Sequence, residues 1–114
     1  AGSLIIEQTS AMTTIDVNTG ADSGSSGAAL TANLEAVAAL PRELRLRGIG
    51  GLFAVDFVSL GDSAAWRQVL DALQQALEGD GACGRVHRVE PLGVALFTRR
   101  QAAASLAEMV RGND

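Results

Sequence analysis

Hydrophobic positions along the chain change their period several times, and each change marks an element boundary. Leu4-Ile5-Ile6 running into Glu7-Gln8 reads as a strand. Met12 to Asn18 reads as a second, rich in β-branched residues and alternating, with Ser10-Ala11 as a tight connection, so the two predict a hairpin. Gly20 to Gly27 is a Gly/Ser loop by composition. Thr31 is placed to cap a helix carrying Glu35 in its first turn. Leu30, Leu34, Val37, Ala38 and Leu44 follow at helical spacing, and Pro41 is expected to kink or split that helix near Leu40. Gly48-Ile-Gly-Gly51 closes the stretch. Leu52 to Val58 is then almost unbroken apolar sequence, the pattern of a central strand buried on both faces.

Gly61-Asp62-Ser63 opens a second helix, with Trp66, Val69, Leu70, Leu73 and Leu77 on one face and Gly79 as its stop. Two short strands are expected near 84–89 and 93–97. Thr98 with Gln101 has the spacing of a capping box for a last helix through Val110. The expected order is ββαβαββα: an α/β (α+β) fold with a mixed β-sheet and about three helices. At 114 residues this is one domain with one core.

Charge narrows the partners. The formal net charge is −4, which counts against a broad electrostatic surface for nucleic acid. Yet lysine is absent and every basic residue is arginine, grouped at Arg42, Arg45 and Arg47, at Arg85 and Arg88, and at Arg99 and Arg100. Local phosphate-binding patches therefore stay open. A single cysteine, Cys83, rules out an intramolecular disulfide and fits a reducing, cytoplasmic setting; it reads as an inert thiol. No apolar run approaches the ~20 residues of a membrane-spanning helix.

The chemistry-bearing candidates are Asp16, Asn18 and Asp56. Asp56 sits inside Phe53-Ala-Val-Asp-Phe-Val58, where an ionised carboxylate needs compensation by an arginine, hydrogen bonds or a metal ion. Strand parity puts Leu52, Ala54, Asp56 and Val58 on one face, and Phe53, Val55 and Phe57 on the other. By the same rule Thr14, Asp16 and Asn18 share a face. If the second and third strands are neighbours, the two carboxylates and the amide form one oxygen cluster, suited to Mg²⁺ or Mn²⁺. The competing reading has Asp16 capping a turn and Asp56 paired with Arg45 or Arg47. Those two arginines, Arg45 and Arg47, are equally candidates for phosphate contacts on a nucleic acid. His87 reads as structural or solvent-facing, Trp66 as a packing residue, and the Gly20–Gly27 segment as a plain loop without the lysine and spacing of a P-loop.

Ile15-Asp-Val-Asn-Thr-Gly20 is similar to the "IDVN(S/T)G" segment of the ribonuclease E/G family. Leu4-Ile-Ile-Glu-Gln-Thr9, Asn33-Leu-Glu-Ala36, Leu44-Arg-Leu-Arg47, Ile49-Gly-Gly51, Val55-Asp-Phe57, Leu92-Gly-Val94 and Thr98-Arg99 follow in that family's order, so the resemblance spans roughly residues 3 to 106. It implies a DNase I-like catalytic domain, from a fragment or a reduced paralogue. In such a domain residues matching Asp16 and Asp56 hold Mg²⁺, and one matching Asn18 orients the site. The implied reaction is endonucleolytic cleavage of single-stranded RNA by an activated water. Arg88 falls near the family's basic strand and is the implied phosphate contact.

The chain departs from the family pattern at Thr31, Ser59 and Leu96, where a lysine and two acids are usual. These departures keep open the alternative of a catalytically degenerate RNA-binding or scaffold domain. The family's S1 and 5′-end-sensing domains, expected in a parent chain, have no counterpart here. With one cysteine, a zinc link built from two CxxC arms is impossible. Homo-oligomerisation is possible but not implied.

Overall fold

The computed structural model describes residues 3–19, 26–89 and 93–101. Strands β1 (Ser3–Gln8) and β2 (Thr13–Asn18) form the expected antiparallel hairpin. Thr9 closes its turn: the hydroxyl donates to the Met12 carbonyl at 2.8 Å and accepts from the Met12 amide at 3.1 Å. Helix α1 (Ser26–Arg47) leads to β3 (Gly51–Asp56), and α2 (Ser63–Glu78) is followed by β4 (His87–Val89) and β5 (Val94–Arg99). The sheet runs β1-β2-β3-β5-β4, with β2 and β3 parallel and the other pairs antiparallel. The fold is a mixed α+β domain with two helices among the described residues.

Both helices pack on one side of the sheet. Ile15 and Val17 of β2, Phe53 and Val55 of β3, Phe57 after it, and Ala95 and Phe97 of β5 are buried there against Val37, Leu40 and Leu44 of α1 and Trp66, Val69, Leu73 and Leu77 of α2. Phe53 and Phe97 face each other across β3 and β5, with rings stacked at 5.0 Å. Phe57 meets Trp66 edge-on at 5.5 Å, confirming Trp66 as a packing residue. No described helix covers the other side. It carries Ile5, Leu52 and the two aspartates, all exposed. This corrects the expectation that β3 is buried on both faces. Alternation does hold along β3, but the apolar residues at its even positions, Leu52 and Ala54, line an open surface.

Three boundaries also differ. Helix α1 begins at Ser26, so Thr31 lies inside it rather than capping it. It passes through Pro41 as one element, because packing of Leu40 and Leu44 outweighs the hydrogen bond the proline removes. Thr98 and Arg99 belong to β5, so no helix starts there; the rest of the expected last helix lies outside the described residues. Helix α2 starts and stops where the sequence puts it. The Asp62 carboxylate accepts from the Ala64 amide at 2.9 Å, and Gly79 caps the far end. Gly48, at φ +63°, ends α1 in the left-handed region that a side chain disfavours.

Candidate functional site

Asp16 and Asp56 lie side by side. They are direct partners and the last pair of the parallel β2–β3 ladder, near the carboxyl ends of both strands. Neighbouring strands run about 4.8 Å apart, and directly paired residues share a face. Both side chains therefore rise from the open surface, where both residues are exposed. Asn18 stands two residues beyond Asp16 on the same face and is also exposed. The α1 crossover produces this arrangement. It carries the chain from the end of β2 back to the start of β3, so the two strands run parallel, with Asp56 at the end of β3 beside Asp16, two residues before the end of β2.

The setting differs from a buried carboxylate in search of a counter-ion. Asp56 escapes burial because the helices lie behind the sheet. The alternative pairing with Arg45 or Arg47 is excluded: both occupy the last turn of α1, which ends where β3 begins, at the opposite end of the sheet. Arg45 and Arg47 are exposed, and Arg47 pairs with Glu43 one turn earlier at 3.3 Å. Arg88 is not brought to the aspartates either. It pairs across the ladder with buried Ala95, which puts it on the helix-covered side, and its guanidinium lies 5.8 Å from the centre of the Trp66 ring. Period-two alternation gives the open face to its neighbour His87 instead, opposite Leu96. His87 is exposed, as the sequence suggested, and two strands removed from β3.

Two residues hold the surroundings in place. Asn33 of α1 is fully buried, and its side-chain amide both donates to the Val58 carbonyl and accepts from the Val58 amide, each at 2.9 Å. Asp80 follows α2 and forms a two-pronged pair with Arg99 at 3.2 and 3.3 Å. Arg99 in turn donates to the Ile49 carbonyl at 3.0 Å. Burial pushes the Asp80 carboxyl up, but Arg99, through hydrogen bonds and charge, and the Ala82 amide outweigh it and hold the group below its usual range. Cys83, beside Asp80 at 3.7 Å, is driven the other way: burial and the Asp80 charge raise its thiol to about 11. Sequence reasoning gave neither Asn33 nor Asp80 a structural role. An amide standing on an apolar helical stripe, as Asn33 does between Leu30 and Val37, is the signal for the first. No local signal marks the second.

The donor set is all oxygen: two neighbouring carboxylates and one amide carbonyl. Among the described residues no group of three His, Cys, Asp or Glu side chains could hold a metal. An ion here would keep several waters, the habit of Mg²⁺ and not of a structural zinc.

The sequence profile of the ribonuclease E/G family matches residues 1–102. The chain belongs to the ribonuclease E/G family. Ribonuclease G of Salmonella typhimurium is 38% identical over 112 residues, which is 96% of this chain and 23% of that protein. Ribonuclease G of Haemophilus influenzae is 39% identical over 112 residues, with the same coverage of 96% and 23%. Ribonuclease E of Nostoc sp. is 36% identical over 111 residues, covering 95% of this chain and 16% of the relative. This family member thus spans less than a quarter of the length of these relatives. No described helix is long and apolar enough to cross a membrane.

Proposed function

We propose that this domain is the metal-binding catalytic unit of an endoribonuclease that cuts single-stranded RNA. The observation that carries the proposal is the register pairing of Asp16 with Asp56 on an open sheet face, in a chain of the ribonuclease E/G family. Two like charges on adjacent strands repel, and a shared cation removes that cost. Asp16 and Asp56 would hold Mg²⁺, with Mn²⁺ able to replace it. The bound ion supplies a water activated for attack and a positive centre for charge developing at the phosphate. Asp16 and Asp56 fix that centre from two strands, so the site exists only when the ladder is closed. Asn18 offers its amide to orient a water or a phosphate oxygen beside them. The open face leaves room for a single strand of RNA to reach both carboxylates.

Arg45, Arg47 and Arg88 lie away from the carboxylates, so in this reading they touch RNA phosphates outside the centre and take no part at the ion. The domain works in the cytoplasm as part of a longer protein, with S1 and 5′-end-sensing domains supplying most of the RNA grip that its net charge of −4 does not.

The test is Asp56→Asn, assayed on a single-stranded RNA in the full-length protein. Mg²⁺-dependent cleavage should fall roughly 100-fold or more, the scale of losing one charge-stabilising group. Cleavage at the unaltered rate overturns the proposal. Binding of RNA with no cleavage by the unmodified protein would instead identify a degenerate, RNA-binding relative.

A further inference from the structure

The geometry points to Asn33 as a positioning residue for Asp56, acting through the backbone of Val58. The inference rests on the metal-site reading above. The β2–β3 register ends at Asp16 and Asp56, so Val58, two residues on, has no partner in β2. Its amide and carbonyl are both taken up by the Asn33 side chain, at 2.9 Å each. A primary amide is the one side-chain group that offers a donor and an acceptor side by side, and so can replace a neighbouring strand for a single residue. Asn33 is 0% exposed, so both bonds form away from competing water. The residue between, Phe57, is fixed as well: its amide donates to the Gly93 carbonyl at 3.4 Å and its ring packs on Trp66.

Asp56 is thereby tied on both sides. Behind it stands the ladder to β2 and β5; ahead of it stands the Asn33 clamp. The clamp comes from α1, the element that also follows β2 and the Asp16 strand. One helix therefore links the two halves of the carboxylate pair, and the spacing of Asp16 from Asp56 depends on a residue that touches neither. Partners hydrogen-bonded directly to a metal ligand cost about 10- to 100-fold in affinity when lost, and Asn33, acting through the backbone, belongs at the lower end of that range.

The experiment compares Asn33→Ser with Leu77→Val, a core substitution at the distal end of α2, both in the 114-residue chain and under conditions where each is folded by circular dichroism. Two readouts are taken: Mn²⁺ affinity by titration, and NMR shifts of the Asp16 and Asp56 carboxyl carbons without metal. Asn33→Ser is expected to weaken Mn²⁺ binding about tenfold and to move the Asp56 signal. Leu77→Val should leave both unchanged. Should Asn33→Ser not fold, Asn33→Gln carries the same two readouts, its amide displaced by one methylene. In the unmodified chain, Mn²⁺ should also slow exchange of the Val58 amide proton. An unmoved Asp56 signal in a folded Asn33 variant, or a Val58 amide indifferent to bound Mn²⁺, overturns the inference. No saturable Mn²⁺ binding by the unmodified chain overturns the metal-site reading instead, and the metal-free shifts then decide the role of Asn33 alone.

Discussion

Among single residues, the buried pair of Asp80 and Arg99 has the sharpest consequences. Their side chains are 1% and 6% exposed, and the pair joins the loop after α2 to the end of β5 and to Ile49 before β3. Removing one partner strands the other charge away from water, so Asp80→Asn should cost about 3–5 kcal/mol in urea unfolding at pH 7. The sign with pH follows from the depressed carboxyl. Its contribution is present above the ordinary value of 3.8 and is lost as pH falls below that through the folded-state value. The difference between native chain and variant should accordingly narrow in acid. Cys83 follows the same local field. With its thiol raised to about 11, it should react with an alkylating reagent at pH 8 far more slowly than an unfolded-chain cysteine. That agrees with reading it as inert, although neither cause, its burial first and then the charge of Asp80 three residues earlier, has a mark in the sequence.

At the level of elements, legibility tracked the strength of the amphipathic signal. Helix α2 puts Trp66, Val69, Leu73 and Leu77 on one stripe, and its cap Asp62 and stop Gly79 were both visible. Helix α1 buries Ala29, Ala32 and Ala36, small residues that barely separate one face from another, so its true start at Ser26 was missed. Parity within β2 and β3 was read correctly, and it brought Asp16, Asn18 and Asp56 to one face. Exposure of that face was not legible, since Leu52 and Ala54 imitate a strand covered on both sides. Pro41 shows packing prevailing over propensity. Because the proline cannot satisfy the Val37 carbonyl, Pro41→Ala should stabilise the chain by up to about 3 kcal/mol, seen as a higher melting temperature. An unchanged or lower melting temperature would mean that the ring's own packing matters more.

For the molecule as a whole, the described helices cover one side of the sheet only, which separates stability from the surface that carries the aspartates. Substitution on the helix side should be costly: Leu73→Ala, at a fully buried position, should lose about 2–5 kcal/mol. On the open side, Leu52→Thr, at 39% exposure, should stay within about 0.5–1 kcal/mol of the native chain. Denaturant melts of the two variants check this directly, and equal losses would mean that the open face is structurally coupled to the core. Which side carried which cost could not be read beforehand, because it depends on both helices folding back over the same surface.

The pairing of Asp16 with Asp56 has a last consequence, for how the chain keeps its shape. Two like charges set side by side by closure of the β2–β3 ladder work, by Coulomb's law, as a spring against that closure. A cation held as proposed between them would release the spring, and it would have no comparable place to sit on the unfolded polypeptide. Divalent ions should then behave as a folding cofactor as well as a chemical one: at a hundred times its dissociation constant, the ion would add about 2.7 kcal/mol to the folded state.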